Sequence, residues 1–547
     1  MPLLRGLRGF RSFIAIIAAG GMVAAASVGL SGSASADTAP PAGTPATVSA
    51  DRLPNWQING VVWAMVTVGN VVYATGSFSR ARPSGVAAGG AGEVTADNIF
   101  AFDITTGNRV TSFSHSLNAQ GLGITASPDG SRVYVGGDFT TVDGQSRSHV
   151  AAFDTATGAL NAAFHPSVGS QVRALAATNT TVYVGGAFNG VGSSTRTRLA
   201  AFNTSGTLLS WAPSANNTVR TMTLSPDRSR VIVGGHFTTL SGVSAYGMGS
   251  LDAATGATLQ WQANQTIRDA GSNGAITSLR ADGSQIYGAG YAFGSGSSFE
   301  GVFAADPTTG RINWLIDCHG DTYDAFPIGQ VVYQVGHFHD CSWVGAFPET
   351  NPRTWHRATA WTTYATGTNR GPDNYGWNYN GIAAAGILHW YPTVPAGTYT
   401  GQSQGGWSLT GNSNYLVMGG EFPSINGVAQ QGLARFAVRS IAPNTVAPQS
   451  SSSLTPTPTA IGGGRVRLNW TATWDMDNQA LTYQVLRDGS STPVGTVSQN
   501  SNFWQLPGLT FTDSGLAAGS THTYRIRAVD PLGNTRTSST SSSVTVT

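Results

Sequence analysis

The 547-residue chain has two cysteines, and both lie in a stretch dense with groups that can do chemistry. Cys318-His-Gly-Asp-Thr-Tyr-Asp324 is followed by His337-Phe-His-Asp-Cys341. Two chemistries fit this spacing. In an oxidising compartment Cys318 and Cys341 form one disulfide, and closing a loop of that length contributes about 3 kcal/mol by the chain-entropy model. In the alternative, Cys318, His319, His337, His339 and Cys341 ligate a metal, because His337 and His339 share one side of a strand. Oxidation competes with thiolate ligation, so the disulfide is the expected state, with no metal and no cofactor. Asp321, Asp324 and Glu421 are carboxylates open to acid–base work on a glycosidic bond, which needs two carboxyl groups about 5–9 Å apart. No motif fixes such a pair, and no catalytic residue is assigned.

Aromatic rings form a second group. Trp355, Trp361, Tyr364, Tyr375, Trp377 and Tyr379 stand among polar residues and glycines between Glu349 and Gly386. Rings in a polar setting suit stacking on sugar faces, since each offers an apolar face and a polar rim. The same rings equally serve to pack a long loop against the body of the protein.

These groups are carried on a repeat. Arg132-Val-Tyr-Val-Gly-Gly-Asp-Phe139 with Val150-Ala-Ala-Phe-Asp-Thr-Ala-Thr-Gly158 returns as Val182 to Phe188 with Leu199 to Gly206, and as Val231 to Phe237 with Gly249 to Gly256. Phe139, Phe188 and Phe237 stand 49 residues apart in turn. Weaker copies centre on Val71 to Phe78, Ile286 to Phe293, Val332 to Phe338 and Tyr415 to Phe422, which makes seven units. In the sixth, Trp343-Val-Gly-Ala-Phe347 takes the place of the third strand. Period-two alternation with Gly, Asp and Asn at the turns predicts four short strands per unit. Seven such units predict an all-β, seven-bladed β-propeller. The glycines are expected where strands converge on a central axis and a Cβ would obstruct close approach. Arg52-Leu-Pro-Asn-Trp-Gln-Ile58 resembles a fourth strand placed before the first unit, and the last unit runs out after Phe436. The N-terminal strand therefore completes the seventh unit and closes the ring.

The order along the chain follows. Residues 1–36 read as a signal peptide: Arg5, Arg8 and Arg11, an apolar run, then Ala34-Ser-Ala36; a single transmembrane anchor is the alternative. Residues 37–48 form a tether, 49–439 the propeller, 440–453 a Pro/Ser/Thr linker, and 454–547 a small β-domain. Without the three leader arginines, 29 basic residues become 26 against 27 acidic ones. That balance gives no basic field for nucleic acid. The chain has no lysine, which excludes Schiff-base and P-loop chemistry. Export implies a secreted chain with no membrane insertion after cleavage.

Three resemblances follow from the sequence. The Gly-Gly-x-Phe and Phe-Asp-x-x-Thr-Gly units resemble the delta-sixty repeat of secreted bacterial propellers, a family with no general activity to carry over. Leu251-Asp-Ala-Ala-Thr-Gly256 with Trp261 is also similar to quinoprotein propellers. Those carry a vicinal cysteine pair at the cofactor, which Cys318 and Cys341 do not form. At the C-terminus, Arg465 to Trp470, Tyr483 to Gly489 and Tyr524 to Asp530 resemble the fibronectin type III family, which implies an immunoglobulin-like sandwich without a catalytic role. His522 stands where that family's corner tyrosine usually sits.

The polar loops of blades four to seven are expected to share one mouth of the ring. His236, His319, Asp321, Asp324, His337, His339, Asp340 and Glu421 would gather there. Trp355, Trp361, Trp377 and Tyr379 form the second candidate ligand surface. The expected function is non-catalytic recognition of extracellular or cell-surface glycan. A glycan hydrolase or lyase, and a scaffold for a surface protein, are the alternatives.

Overall fold

Val-Tyr-Val-Gly-Gly is apolar at every position, and its strand is buried on both faces. The reason is visible in the computed structural model, which describes residues 43–294 and 296–547. Seven antiparallel sheets follow one another, and each such strand lies second in its sheet with neighbouring sheets above and below. The first three sheets are Val61–Val68, Val71–Ser77 and Ile99–Asp103; Gly121–Ala126, Arg132–Gly137 and Val150–Asp154; and Val172–Ala177, Thr181–Gly186 and Leu199–Asn203. The fourth runs Val219–Leu224, Arg230–Gly235, Met248–Asp252, Thr258–Leu259, and the fifth Gly274–Ala281, Ile286–Ala292, Gly301–Ala305, Ile312–Asp317. The sixth is Thr322–Ile328, Val331–Phe338, His356–Thr368 and Ala383–Leu388, and the seventh Gly406–Gly411, Tyr415–Gly420 and Leu433–Ala437. The leading strand of each sheet packs on that of the next, and Gly406–Gly411 packs on Val61–Val68. The row of sheets thus closes on itself.

Closure uses the N-terminal segment as expected. The amides of Ser49 and Leu53 donate to the carbonyls of Ala437 and Arg435, at 2.9 and 2.8 Å, along the outer strand of the seventh sheet. The end of the expected tether is packed as well. Val48 is buried, and its amide donates to the Tyr333 hydroxyl at 2.7 Å. The proposed signal peptide lies outside the described residues. Among the described residues no helix is long and apolar enough to cross a membrane.

Three expectations need correction. The outermost strand of the first three sheets shrinks to single bridges, Phe102–Arg109, Phe153–Leu160 and Phe202–Leu208. The glycines do not stand at the axis. A Cβ on Gly136 would lie 2.5 Å from Val172 of the next sheet, and one on Gly137 would lie 2.3 Å from the Gln120 carbonyl of its own. Their role is the stacking of one sheet on the next and room for an irregularity in the leading strand. Finally, Ser342–Val344 is a 3-10 turn, because the Cys318–Cys341 disulfide and the Cys341 amide's bond to Phe347 O fold the chain back there. The third strand of the sixth sheet is His356–Thr368, inside the segment read as an insertion. Trp361 pairs with Val332 there as Phe153 pairs with Val133 in the second sheet.

Residues beyond 454 form a three-stranded and a four-stranded sheet that enclose one core, with a short two-stranded sheet of Thr521–His522 and Val544–Thr545 beside them. Val466, Leu468 and Trp470 of one face Leu481, Tyr483, Val485, Tyr524, Ile526 and Ala528 of the other. His522 bonds the Asp488 carboxylate at 2.6 Å. The segment read as a linker is tied down: the Thr445 amide bonds Asp51, and Asn534 donates to the Asn444 carbonyl at 2.9 Å. Phe503 and Trp504 pack on Phe347 and Tyr391.

Candidate functional site

Every leading strand breaks its register once, within its first three paired residues. The shift falls between Val62 and Ala64, Gly121 and Gly123, Val172 and Ala174, Val219 and Thr221, Ile276 and Ser278, Thr322 and Asp324, and Gly406 and Ser408. Such a bulge leaves one residue unpaired and re-aims its side chain. The seven skipped residues are Trp63, Leu122, Arg173, Arg220, Thr277, Tyr323 and Trp407. All seven line one cavity of about 600 Å³, together with Gln120, Tyr291, Phe293, Asp321 and Gln402. A repeat feature that only bends a strand thus becomes, in the closed ring, a circle of seven inward side chains.

The circle has two halves. Tyr323, Trp407 and Trp63 come from the sixth, seventh and first sheets, which ring closure makes neighbours. The Trp407 ring lies 4.0 Å from Tyr323 and 4.9 Å from Trp63, centroid to centroid. Arg173 and Arg220 come from the third and fourth sheets on the other side. Burial, together with the adjacent Arg220 charge, pushes the Arg173 guanidinium down to about 10. Among the described residues neither guanidinium takes part in an ion pair. The halves are joined by a chain of hydrogen bonds. Trp63 Nε1 donates to Gln120 Oε1 at 2.9 Å, Gln120 and Gln171 donate to the two oxygens of Asp138 at 2.8 and 2.6 Å, and Arg173 donates to Gln171. This fixes the orientation of both arms before any ligand arrives.

Of the expected mouth residues, Asp321 lines the cavity and accepts the Tyr323 hydroxyl at 2.9 Å. His236 and His337 stand behind the lining. His236 Nδ1 donates to Gly271 O at 3.0 Å, which leaves Nε2 to accept from Arg220 at 3.3 Å. Burial, then the Arg220 charge, lowers its pKa and keeps it neutral. His337 bonds Gln404 at 2.9 Å and is also lowered by burial.

The other candidates are placed elsewhere. Asp324 is buried in an ion pair with Arg280 at 2.8 Å and accepts the Leu409 amide. Its role is to tie together the leading strands of three sheets. Glu421 is buried beneath Trp407, accepting from Trp407 Nε1 at 3.1 Å and from Thr400. His319 turns away from the mouth into a closed corner with Asp317 and Asp373. His339, pushed down to about 4 by burial, and Asp340, which caps Ser342, lie in the same corner.

The aromatic segment does not form one surface. Trp361 is wholly buried and Tyr379 donates its hydroxyl to Ser298 O within the core. Trp377 packs against His319 and Tyr375, and Trp355 is exposed apart from them. Trp63, Arg173, Arg220, Tyr323 and Trp407 were absent from the expected set. Their signal was in the sequence: they occupy one column of the repeat, near the start of each leading strand, and five of its seven residues are aromatic or arginine.

A family model described as a domain of unknown function (DUF5122) beta-propeller matches residues 128–164 and 181–208. The chain contains a β-propeller. The match covers the second and third strands of the second and third sheets, where the repeat is most regular, and leaves out their leading strands. Chitinase 63 of Streptomyces plicatus is 30% identical over 174 residues, 32% of this chain and 22% of that protein. Chitinase C of Streptomyces lividans is 35% identical over 105 residues, 19% of this chain and 15% of that protein. The chain thus spans 22% and 15% of the lengths of these two curated relatives. Among solved structures, a chain of the mitotic checkpoint complex aligns over 72% of this propeller chain and 98% of its own length, at 10% identity and TM-score 0.38.

Proposed function

We propose that the protein is a secreted, non-catalytic glycan-recognition protein and that the propeller mouth is its binding site. The seven sheets are read as seven blades, closed by the N-terminal strand, and the C-terminal pair of sheets as a fibronectin type III sandwich braced against them. The observation that carries the reading is the circle of bulge residues. Tyr323, Trp407 and Trp63 present a continuous aromatic arc, on which the apolar face of a pyranose ring can stack. Arg173, Arg220, Gln120 and Gln402 offer donors to hydroxyl or carboxylate oxygens across a cavity large enough for a short saccharide.

Glycoside hydrolysis requires two facing carboxyl groups. Among the lining residues Asp321 is the one carboxylate, and Asp324 and Glu421 are engaged in buried bonds. This favours binding over cleavage. The leader sequence and the disulfide support export, and the chitinase relatives make chitin the first polymer to try. The test is co-sedimentation of the purified protein with chitin, cellulose, xylan and bacterial cell walls, with released reducing sugar assayed in parallel. Retention on at least one polymer without sugar release is the expected result. Release of sugar would overturn the non-catalytic reading, and retention on none would overturn the glycan reading.

A further inference from the structure

We propose that Asp317, His319 and Asp373 hold a divalent metal ion of the zinc class in the closed corner beside the disulfide, away from the propeller mouth. Asp317 ends the last strand of the fifth sheet, His319 follows two residues later, and Asp373 comes from the segment between the last two strands of the sixth. All three side chains are fully buried. His319 Nε2 lies 2.7 Å from Asp373 Oδ2 and 3.9 Å from Asp317 Oδ1, and one ligand atom from each residue falls within 4.8 Å of the others. Ligands bound to a tetrahedral ion at about 2.0–2.2 Å stand about 3.4 Å apart, within the spread seen here.

The independent observation is Asp317. It is wholly enclosed, yet among the described residues neither carboxylate oxygen has a hydrogen-bond partner, and the imidazole of this same cluster stands 3.9 Å from Oδ1. A buried carboxylate without donors is costly unless a cation or a proton neutralises it. The other two groups are already aimed. Asp373 Oδ1 accepts the Tyr375 and Trp377 amides at 3.0 and 2.7 Å, which turns Oδ2 towards His319. The imidazole plane is held by Tyr375, stacked at 4.1 Å and 15°. The disulfide at Cys318, together with the His319 amide bonded to Asp340 O at 2.8 Å, fixes the backbone between the first two ligands. One imidazole and two carboxylates suit zinc, whereas calcium takes six to eight oxygens and would find too few here. The disulfide and the metal are not alternatives on this reading: the cysteines bond each other, and the histidine turns to carboxylates instead.

The test is elemental analysis of the full chain purified without chelator, joined to melting curves of the stripped protein titrated with zinc or calcium. The proposal predicts about one equivalent of divalent metal per chain, a Tm that falls on stripping, and recovery with zinc but not calcium. Asp317→Asn and Asp373→Asn should each lose the metal. Wild-type protein with less than about a tenth of an equivalent, and a Tm indifferent to added zinc, would overturn the proposal. So would an Asp317→Asn variant that still carries about one equivalent of zinc. Should both variants fail to fold, the wild-type metal content and zinc-dependent melting still decide.

Discussion

The acids that punctuate the regular blades and the acids in the corner between the fifth and sixth sheets are the same chemistry in opposite settings. Asp252 and Asp306 sit at exposed turns, and each accepts the amide and hydroxyl of the threonine three residues on. Those bonds hold both carboxyls below the usual range. Glu300 in that corner is buried instead, as is Asp269 in the segment that leads into the fifth sheet. Burial pushes Glu300 up to about 8 although it accepts the Gly320 amide, and it drives Asp269 well above its ordinary value. A repeated acid serves the turn that carries it. An unrepeated acid, covered by a long segment and a disulfide, opposes folding unless something else meets it, and that marks where the chain does more than fold.

The largest effect should come from breaking the ring itself. Deleting residues 37–58 removes the strand on Leu433–Ala437 and the buried Val48 and Ile58, a loss of roughly 5 kcal/mol or more. The native melting transition should disappear in differential scanning calorimetry, and a truncated chain with unchanged Tm would contradict ring closure. Next is the irregular corner. Replacing Cys318 and Cys341 together with serine should lower stability by about 3 kcal/mol, measured by urea unfolding.

A pH series separates the two kinds of acid. The Glu300 carboxyl has a folded pKa above its unfolded one, so its favourable contribution is complete below about 4.5 and is lost as pH rises towards about 8. Glu300→Gln should therefore show a flatter stability profile than wild type over that window. Asp252 has the opposite sign: its contribution is present above its ordinary pKa and lost as pH falls through the lowered folded value, so Asp252→Asn should matter near neutrality and not in acid. Identical profiles for the two variants would erase the distinction. The smallest effect on stability belongs to Arg173→Gln with Arg220→Gln. Among the described residues neither side chain takes part in an ion pair, so Tm should hardly move, while affinity for a retained glycan should drop about tenfold by co-sedimentation.

The regular half of the molecule was legible because its code is local. Gly136-Gly137 and the Asp252 turn state their geometry within a few residues, and the strand order follows. The sixth sheet was misread because the disulfide, a contact 23 residues long, folds Trp343–Phe347 into a turn and passes the third strand on to His356–Thr368. The mouth was legible in principle and missed in practice. Attention to residue type favoured the histidines and carboxylates of the loops, several of which the fold buries. The bulge column, which sets Arg173 beside Arg220 and Trp407 beside Trp63, shows its meaning only when the blades are overlaid and the ring is closed. Asp373 gave no signal at all, since His319, which it meets in the corner, lies 54 residues away.

The mouth and the aromatic segment make opposite demands on one experiment. Binding isotherms on whichever polysaccharide retains the wild type should be measured for Trp407→Ala and Trp355→Ala, with melting curves to show that both variants fold. If the circle of bulge residues is the glycan site, Trp407→Ala weakens binding by about tenfold or more and Trp355→Ala leaves it unchanged. Unaltered affinity in Trp407→Ala alongside a loss in Trp355→Ala would contradict the mouth as the site and move recognition to the exposed segment around Trp355.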